Sequence, residues 1–360
     1  MKLAYLRPLY EHSGPFTSVY LATERHTADA AKALALRWRH ARTELSRLGV
    51  DEATLRALEE IITDRDNAAP GRALFAADGR VVHHEVLPEP PPQMLLKVGE
   101  LPYVMPLLAS RREPVPHVCV KADRTGAEII SVTDKRQVTT VDGMDWPIRK
   151  VRAGGWSESH FQRNAEETWE ANAREVAAAV VREAEAVDAA VIIVAGDVRA
   201  RELIAHDLGE RWASRTVITD RGARNAGADE ELLEKEVGRI LREVQDRRLA
   251  EVMARFREGH GRGDAVAGLE AVTEALRNGQ VETLLAAGGR IRGELWFGPQ
   301  AHELATTKKA LQEMGVSDPR PAPAGSVLAR AATATDAEIL FPRELDAPGG
   351  LGAVLRYTQP

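Results

Sequence analysis

The chain of 360 residues has a single cysteine, Cys119. That excludes an internal disulfide and any metal site built from several thiolates. Cys119 lies in the apolar run Val118-Cys119-Val120, the setting of a buried, inert thiol rather than a nucleophile. Aromatic residues are scarce, at 5%. No apolar run approaches the roughly 20 residues a helix needs to cross a bilayer. The opening residues, Met1-Lys2-Leu3 with Arg7 and Pro8 close behind, lack the apolar stretch of a signal peptide. A cytoplasmic protein with no membrane partner is therefore expected. Positive charge is not in excess either. The formal net charge is −6, which argues against non-specific coating of nucleic acid but allows RNA contacts through local basic loops.

What is present is the composition of a folded globular protein, 44% hydrophobic and 28% charged. At this length two or three cores are expected rather than one. The reading is α/β (α+β) with three domains near 1–112, 113–247 and 248–360. In the first, Ser18 to Leu21 reads as a strand. Leu34, Trp38, Ala41, Leu45 and Leu48 then repeat at helical spacing up to Gly49. Asp51 caps a second helix, and Asp78-Gly79 joins two strands as a hairpin. Pro88, Pro90, Pro91 and Pro92 form an extended connector, followed by a short apolar stretch from Leu101 to Ala109.

In the second segment, strands are expected at His117 to Lys121, Ala127 to Thr133 and Gln137 to Val141. A polar loop then leads into a long helix reaching Ala186. After it, Val191 to Gly196 reads as a buried strand. A helix from Ala200, a strand at Thr216 to Ile218 and a helix from Glu230 to about Val244 follow. That order suggests a mixed sheet with helices packed on it. The third segment alternates as well: helices near Arg248 to Phe256, Ala265 to Arg277, Glu303 to Met314 and Val327 to Thr335, with strands at Val281 to Ala286, Ala337 to Phe341 and Leu351 to Tyr357. It reads as a small α-β-α sandwich, with Gly259 to Gly263 as an interdomain hinge.

The loop before the long helix carries the chemistry. Gly154 and Gly155 allow close approach of backbone to a partner. Arg149, Lys150 and Arg152 supply positive charge suited to RNA phosphates. Trp156 offers a face on which a base can stack. Read without context, the same loop is a flexible connection, with Ser157 or Ser159 capping the helix. His83-His84-Glu85 is a poor metal site, because neighbouring strand residues point to opposite faces. Asp188, Asp197 and Asp220 form no set that must converge, and Gly259 to Gly263 lacks the Lys-Ser/Thr of a phosphate loop. No catalytic residue, metal or cofactor is assigned.

Several pieces together resemble the archaeo-eukaryotic class-I peptide release factors and Pelota. Val118 to Ser131 is similar to the opening hairpin of their RNase-H-like central domain. Gly154-Gly155-Trp156-Ser157 takes the place of their Gly-Gly-Gln-Ser, before a long helix with Phe161, Arg163 and Glu166. Val191 to Gly196 resembles the strand that ends in Ala-Gly. Ala265 to Leu285 is similar to the start of their third domain. Gly349-Gly350-Leu351-Gly352 with Leu355-Arg356-Tyr357 matches their closing strand. The stop-codon-reading Asn-Ile-Lys-Ser is absent, and the resemblance fades before residue 112.

The resemblance is nearest to the bacterial branch, which includes Balon-type ribosome-hibernation factors. It implies occupancy of the A site of idle ribosomes, with rRNA contacts at the decoding and peptidyl-transferase centres and EF-Tu as a partner. Arg149, Lys150, Arg152, Gly154, Gly155 and Trp156 would be the ribosome-contacting residues. In release, the glutamine helps position water at the ester; an indole has one donor and no acceptor, so occupancy without hydrolysis is expected. Two other readings stay open: a Pelota-like rescue adaptor, and a peptidyl-tRNA hydrolase or nuclease using other residues.

Overall fold

In the computed structural model the described residues are 1–24, 28–64, 69–111, 113–123, 126–133, 135–142, 156–221 and 227–357, without the side chains of 28, 142, 156–167 and 227–229. The chain divides into one unit of residues 113–250 and another that joins 1–112 to 251–360.

The first stretch runs α1 (Arg7–Tyr10), β1 (Phe16–Ala22), α2 (Ala28–Arg47), α3 (Glu52–Thr63), β2 (Gly71–Ala77), β3 (Arg80–Leu87), β4 (Leu95–Gly99) and α4 (Met105–Ser110). Its strands form an antiparallel sheet in the order β3-β2-β1-β4. Asp78 and Gly79 sit at φ 52° and 74°, the positive values that a two-residue hairpin turn requires. Asp51 caps α3 by accepting from the Thr54 N–H at 2.9 Å. Both faces of the sheet are covered, and the pleat sorts the side chains. Val19, Leu21, Leu74 and Ala76 pack with Leu34, Trp38, Ala41 and Leu45 of α2 and Leu55, Leu58 and Ile62 of α3. Phe16, Tyr20, Ala73 and Phe75 point the other way, into a core shared with the end of the chain.

Two expectations change here. Leu48 is 49% exposed, because α2 ends at Arg47 and Gly49 (φ 87°) turns the chain away. The strand β4, which pairs with β1, was not expected from the sequence.

The unit of residues 113–250 holds β5 (His117–Asp123), β6 (Gly126–Val132), β7 (Arg136–Asp142), α5 (Trp156–Ala186), β8 (Val191–Gly196), α6 (Val198–Asp207), α7 (Glu210–Ala213), β9 (Thr216–Ile218) and the start of α8 (Gly227–His260). The sheet order is β7-β6-β5-β8-β9. The hairpin strands are antiparallel, while β5, β8 and β9 are parallel. α5 and α6 cover one face, burying Ala173, Val176, Val180 and Ile204 against Val118, Val120, Ile129 and Ile192. Leu233 and Ile240 of α8 cover the other, over Cys119, Ile130, Val191 and Ile193. α8 is one helix of 34 residues. The expected break between Val244 and Arg248 is absent, since Gln245-Asp246-Arg247 contains no helix breaker.

His117 is buried at the start of β5, its Nδ1 2.7 Å from the Val115 carbonyl oxygen. Burial is the main cause that lowers its pKa below the usual histidine value of 6.5. The unfolded chain therefore binds this proton more readily than the folded one. The stability of this unit should fall as pH drops through the ordinary histidine range toward the lowered folded value. In thermal scans from neutral to mildly acidic pH, His117→Gln should flatten that part of the profile. An unchanged slope would show that His117 does not contribute to it.

The last stretch adds β10 (Ala265–Ala267), α9 (Leu269–Arg277), β11 (Val281–Ala286), β12 (Glu294–Phe297), β13 (Leu304–Ala305), α10 (Lys308–Glu313), β14 (Arg320–Pro323), α11 (Ala324–Ala334), β15 (Glu338–Leu340) and β16 (Leu351–Leu355). One sheet has the order β10-β16-β11-β15 and a smaller one β13-β12-β14. Val272 and Leu276 of α9 and Val327 and Leu328 of α11 pack with Leu284, Ile339 and Ala353 of the larger sheet. Val252 and Phe256 of α8 pack with Leu285 and Val354. That is the helix-sheet-helix layering expected of this segment.

Ala265 to Ala267 is strand rather than helix, because Gly268 at φ 86° separates it from α9. Gly259 to Gly263 joins α8 to β10 inside the unit that holds 251–360, so the hinge reading is not kept. Among the described residues no helix is long and apolar enough to cross a membrane.

The amino-terminal stretch is built into the core of this unit. Leu3, Leu6, Leu9, Phe16, Tyr20 and Phe75 share one cluster with Val272, Leu284, Leu328 and Ile339. The Met1 amino group donates to the Ile339 carbonyl oxygen at 3.0 Å, and Ser326 Oγ donates to that of Pro102 at 3.0 Å. Both bonds are buried.

Candidate functional site

The segment between β7 and α5 is where the sequence places its functional residues. Arg149, Lys150, Arg152, Gly154 and Gly155 lie outside the described residues. Trp156 is the first residue of α5 rather than the loop residue expected, and its side chain is likewise outside. The described framework defines what carries this segment. It leaves the edge strand β7 and enters a helix of 31 residues. Trp156 stands 17 positions before Ala173, about 25 Å along α5. Helix N-termini carry partial positive charge and free N–H groups, which favour anions such as phosphate.

α5 is tied to the hairpin strands by Glu183. Its Oε2 accepts from Ser131 Oγ and its Oε1 from Thr139 Oγ1, each at 3.0 Å. Nearer the start of α5, the Trp169 ring centre lies 5.9 Å from the guanidinium of Arg199 on α6. Trp169, Asn172, Arg199 and Leu203 line a cavity of about 10 Å³, room for one water and not for a substrate. An open polar groove of about 320 Å³ runs between β7 and α5, lined by Thr139, Thr140, Glu175, Arg182 and Glu183.

Other polar candidates resolve into structural roles. Burial pushes the Cys119 thiol up to about 11, so it stays protonated at neutral pH and is no nucleophile. Asp197 caps α6 through the N–H groups of Arg199 and Ala200, at 3.1 and 3.3 Å. His83 faces the Phe75 side of the hairpin and holds Glu85 Oε1 at 2.9 Å, while exposed His84 pairs across the strand with Leu74. The two imidazoles diverge as the strand geometry demands. Among the described residues no group of three or more His, Cys, Asp or Glu could hold a metal ion. Arg239 pairs with Glu236 and Glu243, and Arg248 with Glu113, as expected of a solvated helix surface.

The glycines of the remaining motifs have steric reasons. Gly349 and Gly350 sit at φ 67° and 65°, where the chain turns into β16. A Cβ on Gly352 would lie 2.5 Å from Cε2 of Phe256. Arg356 and Tyr357 then fasten the chain: the Arg356 N–H donates to the Gln280 carbonyl oxygen at 2.8 Å, and the Tyr357 hydroxyl to that of Asn278 at 3.4 Å. The closing motif thus serves the fold. Sequence reasoning did not identify this role, because the partner ring belongs to α8, far away in the chain.

Comparison with known proteins bears on the same elements. Residues 116–262 match the family model described as bacterial archaeo-eukaryotic release factor family 2. Two curated proteins of Mycobacterium tuberculosis are similar over nearly the whole chain. These are the uncharacterized protein Rv2629 of strain H37Rv and the uncharacterized protein MT2704 of strain CDC 1551, each 32% identical over 369 residues, covering 99% of this chain and 97% of theirs. Among solved structures, the archaeal termination factor aRF1 is 18% identical, covering 98% of this chain and 96% of its own, at TM-score 0.23. A ribosome-bound archaeal Pelota with ABCE1 is 16% identical, covering 99% and 95%, at TM-score 0.41. Dom34 of S. cerevisiae, a termination-like factor that interacts with Hbs1, is 11% identical, covering 81% and 79%, at TM-score 0.39. By the family match across the central unit and the full-length mycobacterial relatives, the chain belongs to the bacterial archaeo-eukaryotic release factor family.

Proposed function

We propose that the protein binds idle ribosomes at the A site and blocks them without hydrolysing peptidyl-tRNA, as a hibernation factor. One observation carries the reading. In a chain of the release factor family, the position that the sequence resemblance assigns to the release factors' catalytic glutamine is Trp156, the first residue of α5. The indole keeps a flat surface for stacking on an exposed base, worth about 1–3 kcal/mol. It offers one donor and no acceptor, so it cannot hold a water at an ester as an amide can. Basic Arg149, Lys150 and Arg152 beside it suit phosphates. The family resemblance implies EF-Tu as a partner, and a pull-down with purified EF-Tu tests that separately.

The test is co-sedimentation of the protein with vacant ribosomes, paired with a formyl-methionine release assay. Wild-type protein should sediment and release nothing above background. Trp156→Ala should lower affinity by about 1–3 kcal/mol. Replacing Arg149, Lys150 and Arg152 with Ala should weaken binding and flatten its salt dependence, because fewer counterions are released. Release above background, or binding indifferent to all of these changes, would remove the reading.

A further inference from the structure

We infer that the solvent face of α2 is a second RNA-binding surface, which grips phosphates of an RNA helix through Lys32, Arg39 and Arg47. The inference rests on the ribosome-binding reading and names a surface for it in the amino-terminal stretch, apart from the loop before α5.

The helix is sharply divided. Leu34, Trp38, Ala41 and Leu45 are buried against the sheet. At 100° per residue, Lys32, Leu36, Arg39, His40, Thr43 and Arg47 fall within a single arc on the opposite side, and all are exposed. Lys32, Arg39 and His40 make no ion pair among the described residues; Arg47 has only an exposed contact with Glu44 at 3.3 Å. The helix's other cations are already engaged, Arg37 with the Ala22 carbonyl oxygen and Arg42 with Glu52 and Glu59. Asp29 and Glu44 are the acids of α2; exposed Asp29 falls within the same arc, one turn before Lys32. In a chain of net charge −6, an exposed face with three cations, two of them without an ion pair among the described residues, is a local exception.

The chemistry of the row selects its partner. From Lys32 to Arg47 the helix rises roughly 22 Å, enough to pass several phosphates of one duplex. Cations along such a row each release a counterion on binding a polyanion. A membrane is a poor fit, because the apolar face that would insert is already buried under the sheet. Leu36, 63% exposed, is the one large apolar side chain in the arc, too little for an apolar protein interface. Recognition of an RNA duplex by shape and backbone needs neither base contacts nor loops.

The test uses the full chain and a Lys32→Gln, Arg39→Gln, Arg47→Gln variant, whose exposed positions should leave its circular dichroism and melting unchanged. Binding to vacant ribosomes and to a plain RNA duplex of about 16 base pairs is measured from about 50 to 200 mM salt. Phosphatidylserine vesicles serve as the membrane arm. The variant should bind both RNA targets more weakly, with the logarithmic salt slope reduced by about 2 to 3, one for each lost phosphate contact. Equal slopes for variant and wild type on both targets would overturn the α2 surface while leaving ribosome binding intact. If wild type fails to sediment with ribosomes, the ribosome reading falls and the duplex decides: binding that the variant loses supports α2, and no binding overturns it. Vesicle binding lost in the variant, with no duplex binding, overturns it in favour of a lipid surface.

Discussion

Gly196→Ala is expected to destabilise residues 113–250 severely, lowering their melting temperature by many degrees. Gly196 closes β8 at φ 113°, a conformation side chains adopt only with strain. A Cβ there would overlap the Ala122 carbonyl oxygen. That oxygen cannot retreat freely, since it accepts the Asp197 N–H at 2.9 Å and belongs to β5, which pairs with β8. Forcing a methyl into such packing costs about 1–3 kcal/mol, and the backbone strain about as much again. Against a typical domain stability of about 5–15 kcal/mol, much of the margin is lost. Hydrogen exchange across Val191 to Ala195 should rise by orders of magnitude in the variant. A melting temperature within a degree or two of the parent would mean that β5 and β8 can separate at this point without loss.

Phe75→Ala is the second large effect, and it tests the shared core. The Phe75 ring stands edge-on to Tyr20, with centroids 5.9 Å apart. It lies in the cluster that also holds Leu284, Leu328 and Ile339. Removing it should cost about 3–5 kcal/mol. Exchange protection should fall in β11 and β16 together with β1 and β2, although Val281–Ala286 and Leu351–Leu355 lie far later in the chain than Phe16–Ala22 and Gly71–Ala77. The unit of residues 113–250 should keep its own transition. Loss of protection confined to residues 16–99 would show that the amino-terminal stretch has a separate core.

Much of this architecture was legible because local signals agreed. The Asp78-Gly79 turn, the run Val191 to Gly196 and the stripe Leu34, Trp38, Ala41, Leu45 each carry both a period and a punctuating residue. β14 was not legible: Arg320-Pro321-Ala322-Pro323 reads as a connector, and prolines are tolerated because it is an edge strand of a small sheet. β10 was hidden because Ala265-Val266-Ala267 runs without polar contrast into α9. The partner of each apolar face was also beyond local reading. Periodicity says that Phe16, Tyr20 and Phe75 face inward, not that their counterparts lie on α9 and α11. For the candidate site, residue types and their order drew attention to Trp156, and the long helix after it was legible to its end at Ala186; that the helix takes in Trp156 itself was not. The α2 face went unread because its cations look like any solvated helix surface until the ion pairs of the described residues show that Lys32 and Arg39 make none.

The buried seam between the two ends of the chain also bears on how the protein is made. Phe16, Tyr20 and Phe75 emerge from the translating ribosome early, yet Ile339 and the strand Leu351–Leu355 arrive last. At about 5–20 residues per second, the apolar side of the first sheet waits some ten to fifty seconds for its cover. Residues 113–250 are complete long before, with a self-contained sheet and both helical layers. Synthesis should therefore pass through a stage with a folded middle and an uncovered beginning, the interval in which a chaperone has something to hold.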